Sequence, residues 1–402
     1  MFLQVKSPSE VQEFLANWPV SPRAERIEAA KACGRVSFRD IYAPFSLPPF
    51  DKSLMDGYAV ISQDTFSVSE KEPVILHVRE SINAGDTSRY SLRRGWAAYV
   101  ATGAGIPKHA DGVVMVEYTT QIRNKVSLMK GVSVGEHILS AGSDFKKGDL
   151  LLKAGTKLTP RHIGLLSAFG VRVLDVYRKP RVAIISSGNE IVKAGGRIGK
   201  AKVFDINGPT LSSYVEQSGA HAHFLGIARD EKKSIRKMIL EAKKYDLILF
   251  SAGASAGSRD LVSSVLEEMG KVFIHGIAVK PGKPTLIAQV GRKLVFGLPG
   301  NPTSCLIMFF IFVLPFLARL TGERNKFRKS RFKSAERIAC DKGKTQFISV
   351  KIKDGMAHSI DKGSGAYSTF SDAEGFAVIP EDVEYVEEGD MVDVIVLGDE
   401  ND

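Results

Sequence analysis

The pentapeptide Lys280-Pro281-Gly282-Lys283-Pro284 sets two ammonium groups three residues apart on a stiff frame. Proline restricts φ to about −65°, and Gly282 permits a sharp reversal. Two cations held this close repel each other unless an anion lies between them. Lys280 and Lys283 are therefore candidates for holding a small oxyanion. The plain alternative is a β-turn with two solvated lysines, since like charges cost little in water.

Three small-residue loops offer related chemistry. "SSGNE" (186–190) follows the apolar run "RVAII". Its Ser187 and Gly188 leave the backbone open to a ligand, and Glu190 adds a carboxylate at the rim. "FSAGASAGSRD" (250–260) follows "LILF". Ser251, Gly253, Ser255 and Gly257 leave backbone N–H groups bare beside a helix start, a favourable place for an anion. The loop matches neither the dinucleotide fingerprint nor the P-loop. Asp260 could cap the helix or bind a metal that bridges phosphates. "GLPGNPTS" (297–304) repeats the logic with Pro299, Gly300 and Asn301. Thr303 or Ser304 is expected to cap the next helix, and Gly300 and Asn301 can adopt left-handed conformations.

The N-terminal half carries acidic residues in rigid turns. These are Asp51 and Asp56 in "PPFDKSLMDGYAV", Asp111 and Glu117 near Thr102, and Asp144 and Asp149 in "GSDFKKGD". Carboxylates in stiff loops could hold Mg²⁺ together with substrate phosphates. For Asp111, Glu117 and Asp149 we adopt the simpler reading of turn residues bonded to nearby backbone. The eight histidines show no metal spacing.

The elements that must position these residues follow from periodicity. "SPSEVQEFLANW" predicts a helix with Val11, Phe14, Leu15 and Trp18 inward. "SPRAERIEAAKACG" predicts a second helix ending at Gly34. "YAPFSLPPFDKS" is too proline-rich for a regular element and reads as a crossing between domains. Short alternating runs from about 57 to 140 predict a β-rich module. From about 178, strands alternate with helices, which predicts a doubly wound, mostly parallel α/β sheet with ligands at the strands' carboxyl ends. The expected division is 1–48 with 140–177 as an N-terminal helical and linker domain, 49–139 as the β-rich module, 178–323 as the α/β domain, and 324–402 as a small C-terminal β-domain.

Composition is that of an ordinary globular chain: 402 residues, 44% hydrophobic and 25% charged. The longest apolar stretch, 305–320, contains Pro315 and falls short of the roughly 20 residues of a membrane span. It reads as a core helix, and no membrane partner is expected. Three cysteines without ligand spacing indicate a reducing, cytoplasmic setting. The net charge of +10 is spread along the chain, apart from "RNKFRKSRFK" (324–333), which reads as a solvated linker rather than a nucleic-acid patch. A basic balance also suits small polyanionic substrates.

Taken in order, "PPFDKSLMDGYAV", "ATGAGIPKHADGVVMVE", "GSDFKKGDLLLKAGTKLTPRHIGLLSAFGV", "RVAIISSGNEIV", "VFDINGPTL", "AVKPGKPTLIA" and "GLPGNPTS" resemble the molybdopterin molybdenumtransferase family of the MoeA type, which includes the gephyrin C-terminal region. The resemblance implies an elongated homodimer of four-domain subunits. It implies insertion of molybdate into adenylylated molybdopterin, with Mg²⁺ assistance and AMP release. It assigns catalytic roles to Asp56 ("MDGYA"), Asp144 ("GSD"), Glu190, Asp205 ("VFDINGP") and Asp260, and substrate contact to Thr102 ("TGA"). Glu190, Asp205 and Asp260 would hold the metal. Lys280, Lys283, Pro284, Lys344 and Ser364 would hold molybdate. Partners would be a second copy, the molybdopterin adenylyltransferase and acceptor molybdoenzymes.

Departures from the family pattern are specific. Ala252 stands where the family has glycine, and Lys344 stands where it has arginine. "EHILSA" before "GSD" lacks arginine. Alternative readings are a tungstate-preferring or diverged paralogue, a gephyrin-like scaffold that binds molybdopterin without turnover, and an adenylyltransferase, for which the α/β domain alone would suffice.

Overall fold

Runs of branched apolar residues bounded by small residues form the central sheet. Its strands are β1 (Arg181–Ser187), β2 (His221–Ala228), β3 (Leu247–Ser251), β4 (Lys271–His275), β5 (Leu286–Val290) and β6 (Lys293–Leu298). In space the order is β2-β1-β3-β6-β5-β4. The first four are mutually parallel. β5 runs antiparallel to β6, and β4 antiparallel to β5. This computed structural model describes residues 5–252, 256–323, 328–361 and 367–397. The chain divides into two compact units, Met1–Phe38 with Gly155–Leu158 and Val173–Asp402, and Arg39–Ala154 with Thr159–Arg172. The central sheet lies in the first.

Both faces of the sheet are covered, which is why its strands are continuously apolar rather than alternating. Val182 and Ile184 face a layer with Leu211 and Val215 of α1 (Asn207–Gln217). Ala183 and Ile185 face Ile235 and Ile239 of α2 (Lys232–Ala242) and Val265 of α3 (Ala256–Met269). The chain leaves β1 for β2 on one side and returns to β3 on the other. The carboxyl ends of β1 and β3 therefore form the switch-point crevice where such sheets bind ligands.

The N-terminal helix, Pro8–Asn17, starts as its sequence predicts. Ser7 Oγ accepts from Glu10 N at 3.2 Å, and Ser7 N donates to Glu10 Oε2 at 2.8 Å. Val11 and Leu15 enter the main core, while Phe14 and Trp18 pack on Phe273. A helical run over Pro302–Thr321 includes a π turn at Phe309–Val313, just before Pro315 removes a donor from the ladder. By length and composition this 20-residue run could cross a membrane, contrary to the sequence estimate, but 83% of its most apolar window is buried inside the protein. It is a core helix.

Two expectations change in this unit. "AERIE" is a strand, Ala24–Glu28, followed by a 3-10 turn, not a helix. Ile27 is its only branched apolar residue, too few for a helical stripe, and Val173–Tyr177 offers an edge that pairs with it residue for residue. Arg328–Ser334, expected as linker, is a strand paired antiparallel with Met391–Val396. Its basic residues Lys329, Arg331 and Lys333 point outward while Ser334 is buried. This strand belongs to a six-stranded C-terminal sheet, whose first member in spatial order is Val279–Lys280. One lysine of the pentapeptide thus sits on a strand.

The second unit holds a six-stranded mixed sheet, as the alternating runs predict. In spatial order its strands are Gly112–Met115, Gly57–Val60, Trp96–Val100, Val74–Ile82, Lys125–Leu128 and Thr119–Ile122. "YAPFSLPPFDKS" lies inside this unit. The helix Pro160–Ala168 ends before Gly170, which takes a left-handed φ of +65°.

Candidate functional site

At the end of β1 two serines are fully buried. Ser186 Oγ donates to Asp205 Oδ2 at 2.8 Å. Asp205 Oδ1 accepts from Gly208 N at 3.1 Å, so this buried carboxylate ties the strand end to the first turn of α1. Ser187 Oγ has no hydrogen-bond partner among the described residues, although the side chain is 0% exposed. Gly188 is also buried, and a Cβ there would lie 2.8 Å from Glu190 Oε2. Only glycine lets the Glu190 carboxylate fold back over the strand end. Glu190 O accepts from Val203 N at 2.9 Å, which anchors the loop's return.

Neighbouring strand ends join through Asn207. Its Nδ2 donates to Ser251 Oγ at 2.7 Å and to Gly300 O at 2.8 Å, linking β3 to the loop after β6. In that loop the helix cap is Asn301, not Thr303 or Ser304. Asn301 Oδ1 accepts from Ser304 N at 3.2 Å. Pro302 takes the first helical position, so the cap must precede it. Asn301 is extended, with φ −67°, rather than left-handed. Pro299 lies in the same loop. Cys305 lies beside Ser251, where burial pushes its thiol up to about 12. It stays protonated at neutral pH and is no nucleophile.

Gly253 and Ser255 lie outside the described residues, as does the side chain of Asp260, while Gly257 lies in the first turn of α3. Among the described residues no three His, Cys, Asp or Glu side chains come together to hold a metal.

The pentapeptide turn is tightly built. Gly282 has φ +113°, and a Cβ there would lie 2.7 Å from Met308 Sδ. Gly282 O accepts from Thr285 N and Oγ1 at 3.1 and 2.7 Å. Lys283 O accepts from Ile277 N at 2.9 Å, Pro284 follows, and the Lys283 side chain is exposed. Lys280 Nζ lies 2.7 Å from Asp341 Oδ2. The hydrogen bond and charge of Lys280, with Lys344 adding a smaller attraction, hold the Asp341 carboxyl below its usual range. Ser364 lies outside the described residues.

Asp56, Thr102 and Asp144 lie in the second unit. Thr102 N and Oγ1 both donate to Asp56 Oδ1, at 2.6 and 2.8 Å. The backbone bond and then the hydroxyl bond hold Asp56 below the usual carboxylate range. Asp144 is exposed, and its backbone N–H donates to Leu47 O at 3.1 Å. Asp149 acts as a turn residue, as expected, whereas Asp111 instead ties its turn to Ser62, 49 residues away. Asp111 Oδ1 accepts from Ser62 N at 2.6 Å, and Asp149 Oδ2 from Lys146 N at 2.7 Å.

Three family models together span the chain in order: "MoeA N-terminal region (domain I and II)" over 6–170, "Probable molybdopterin binding domain" over 183–319, and "MoeA C-terminal region (domain IV)" over 331–397. A molybdopterin molybdenumtransferase of Nostoc is 31% identical, covering 93% of this chain and 88% of that one. The chain belongs to the molybdopterin molybdenumtransferase family. Another molybdopterin molybdenumtransferase, from Bacillus subtilis, is 30% identical over 99% of this chain and 96% of its own. The crystal structure of a molybdopterin biosynthesis MoeA protein from Pyrococcus horikosii superposes with a TM-score of 0.91 at 40% identity, covering 98% and 99% of the two chains. The family is one of transferases in molybdenum cofactor biosynthesis, and this chain carries its multidomain α/β and β architecture throughout.

For a molybdopterin molybdenumtransferase, sequence reading overlooked two residues at these strand ends. Asn207 was passed over beside Asp205, although its position in "DING" at a helix start was a usable signal. Asp230 ends the stretch "GIARD" after β2. Its Oδ2 accepts from Asn189 N at 3.2 Å and its N–H donates to Asn189 Oδ1 at 3.3 Å, next to Glu190. Asp230 Oδ1 is buried without a partner among the described residues. Lone aspartates are common after strands, so only the fold marks this one.

Proposed function

We infer that this chain inserts molybdate into adenylylated molybdopterin and releases AMP. What supports the reading is the placement of the family's loops at one switch-point edge: Ser187 to Glu190, Ser251, and Pro299 to Asn301. Both substrates are anions. Strand-end loops with bare N–H groups and small side chains suit phosphate, while the lysine turn suits a tetrahedral dianion. Ser187 Oγ, buried and without a partner among the described residues, would donate to a substrate oxygen.

Glu190 and Asp205 offer hard oxygen donors, and each Asp205 oxygen keeps a free lone pair beyond its one hydrogen bond. That fits Mg²⁺, which takes one or two carboxylates together with substrate phosphates. Glu190, Asp205 and Asp260 would hold it. When bound, it would neutralise charge on the phosphoanhydride. Asp205 is fixed from both sides, so it positions without moving. Glu190 closes over Gly188 and can reach the rim.

The finer setting is also proposed. A homodimer is supported by the resemblance and by the exposed Phe50, Leu54 and Met55 beside Asp56 in the second unit, an apolar surface suited to a second copy. The adenylyltransferase and acceptor molybdoenzymes are proposed partners on the resemblance alone. A cytoplasmic location is supported by three free cysteines.

The test is AMP release from adenylylated molybdopterin with Mg²⁺, titrating molybdate and tungstate. Release that depends on an oxyanion is expected, and the titration names the metal. Lys283→Ala should raise the oxyanion concentration needed for half-saturation, and Asp260→Ala should abolish AMP release while leaving oxyanion binding. Absence of oxyanion-dependent release by the unaltered protein would end this reading.

A further inference from the structure

Asp341 lies 61 residues from Lys280 in sequence, yet one strand junction delivers both to the same place. Val279 and Lys280 pair in parallel with Thr345 and Gln346. Thr345 N donates to Ala278 O at 3.2 Å, fixing the entry to the junction. Buried Gln346, the register partner of Lys280, donates from Nε2 to Asp341 O at 3.3 Å. The backbone of Asp341 is thereby tied to the strand residue opposite Lys280. Its carboxylate closes on the Lys280 ammonium at 2.7 Å, and Lys344 adds its charge from the same loop.

Asp341 therefore shares two of the three lysines assigned to the oxyanion. Both Lys280 and Asp341 are more than half exposed as side chains. Exposed pairs of this kind are weak and open readily. A dianion that takes Lys280 competes with the carboxylate for the ammonium's charge, and it sits near a negative charge when it binds.

We propose that Asp341 is a built-in competitor at the oxyanion site, occupying Lys280 until a tetrahedral dianion displaces it, and so setting the concentration at which the site fills. The inference rests on the assignment of the lysine turn to the oxyanion. Its role is selectivity: a monoanion gains too little from Lys280 and Lys283 to displace the carboxylate, whereas molybdate, tungstate or another dianion gains enough. The competitor is part of the chain and is present at fixed effective concentration.

The experiment is calorimetric titration of the full chain with sodium molybdate, at constant ionic strength, for the unaltered protein, Asp341→Asn, Lys280→Ala and the double variant. Asp341→Asn should bind molybdate about fivefold more tightly, the size of one exposed ion pair plus one nearby like charge. In the Lys280→Ala background the same change should have no more than about a third of that effect on a logarithmic scale, because the competed group is gone. Unchanged or weaker binding by Asp341→Asn, with Lys280→Ala still weakening binding, would overturn the competitor while leaving the oxyanion site in place. Equal tightening with and without Lys280 would reduce Asp341 to general repulsion and also overturn it. If neither Lys280→Ala nor Lys283→Ala altered molybdate binding, the site assignment itself would fall, and the competitor with it.

Discussion

Thr102 gives Asp56 two hydrogen bonds on a single oxygen, from its backbone N–H at 2.6 Å and its hydroxyl at 2.8 Å. The pair crosses 46 residues of sequence and fixes the carboxylate's direction. It also favours the ionised form, so the Asp56 pKa lies below its ordinary value. The sign follows. A depressed carboxyl contributes to stability above its unfolded pKa, and that contribution is lost as pH falls through the folded one. Thr102→Val removes the hydroxyl bond and keeps the N–H. The Asp56 titration, followed by carboxyl NMR, should move up yet remain below a model aspartate. No movement would mean that the hydroxyl bond is absent in solution.

Ser187 sets stability against function at one atom. Its buried hydroxyl lacks a partner among the described residues, and such a group costs folding free energy. Ser187→Ala should therefore raise the unfolding free energy by about 1 kcal/mol. If the hydroxyl serves a substrate oxygen, the same change should lower kcat/KM for AMP release by about tenfold. Urea unfolding and steady-state rates check the two halves separately. A variant less stable than the parent would show that the hydroxyl is already bonded in the free protein.

The parts legible in the sequence were those with redundant signals. β1 and β3 were recognisable because apolar runs buried on both faces need no partner to reveal them. The Ser7 cap and the turn role of Asp149 were recognisable because their bonds are local, whereas the Asp111 carboxylate reaches Ser62, 49 residues away. The errors came where a distant partner decides. Ala24–Glu28 has a helical composition but pairs with Val173–Tyr177. Arg328–Ser334 looks like a charged linker until Met391–Val396 supplies its ladder. At the site, Lys280 was visible and its partner was not, since nothing local connects it with Asp341. The cap, expected at Thr303 or Ser304, falls two or three residues earlier at Asn301 because Pro302 takes the first helical position.

Gly282 should tolerate no side chain. Its φ of +113° is disfavoured for L-residues, and a Cβ would meet Met308 Sδ, Cγ and Cε within 2.9 Å. Met308 is fully buried, so it has little room to yield. Gly282→Ala is expected to cost about 1–3 kcal/mol in unfolding free energy. Because the turn holds Lys283, half-saturation by molybdate should rise in the fraction that remains folded. A fully stable Gly282→Ala with unchanged saturation would show that the turn has another accessible conformation.

Asn207 is the strut between two loops, and its removal separates stability from catalysis. Its two N–H donors serve Ser251 Oγ and Gly300 O, and the side chain is only 6% exposed. Asn207→Ala loses both bonds and leaves the buried Ser251 hydroxyl and the part-buried Gly300 carbonyl without that donor, a cost of about 1–3 kcal/mol. Asn207→Asp keeps the shape but, when ionised, sets a carboxylate oxygen against Gly300 O. It should be at least as damaging at neutral pH, and should recover part of its stability on acidification, when the carboxyl protonates and can donate once. Unfolding in urea at neutral and acidic pH measures the first point. AMP release at a temperature where both variants stay folded measures the second, and a fall in kcat/KM is expected because Ser251 and Gly300 lose their fixed spacing. Lower stability with unaltered kcat/KM would confine Asn207 to the fold and remove the Gly300 loop from the list of substrate contacts.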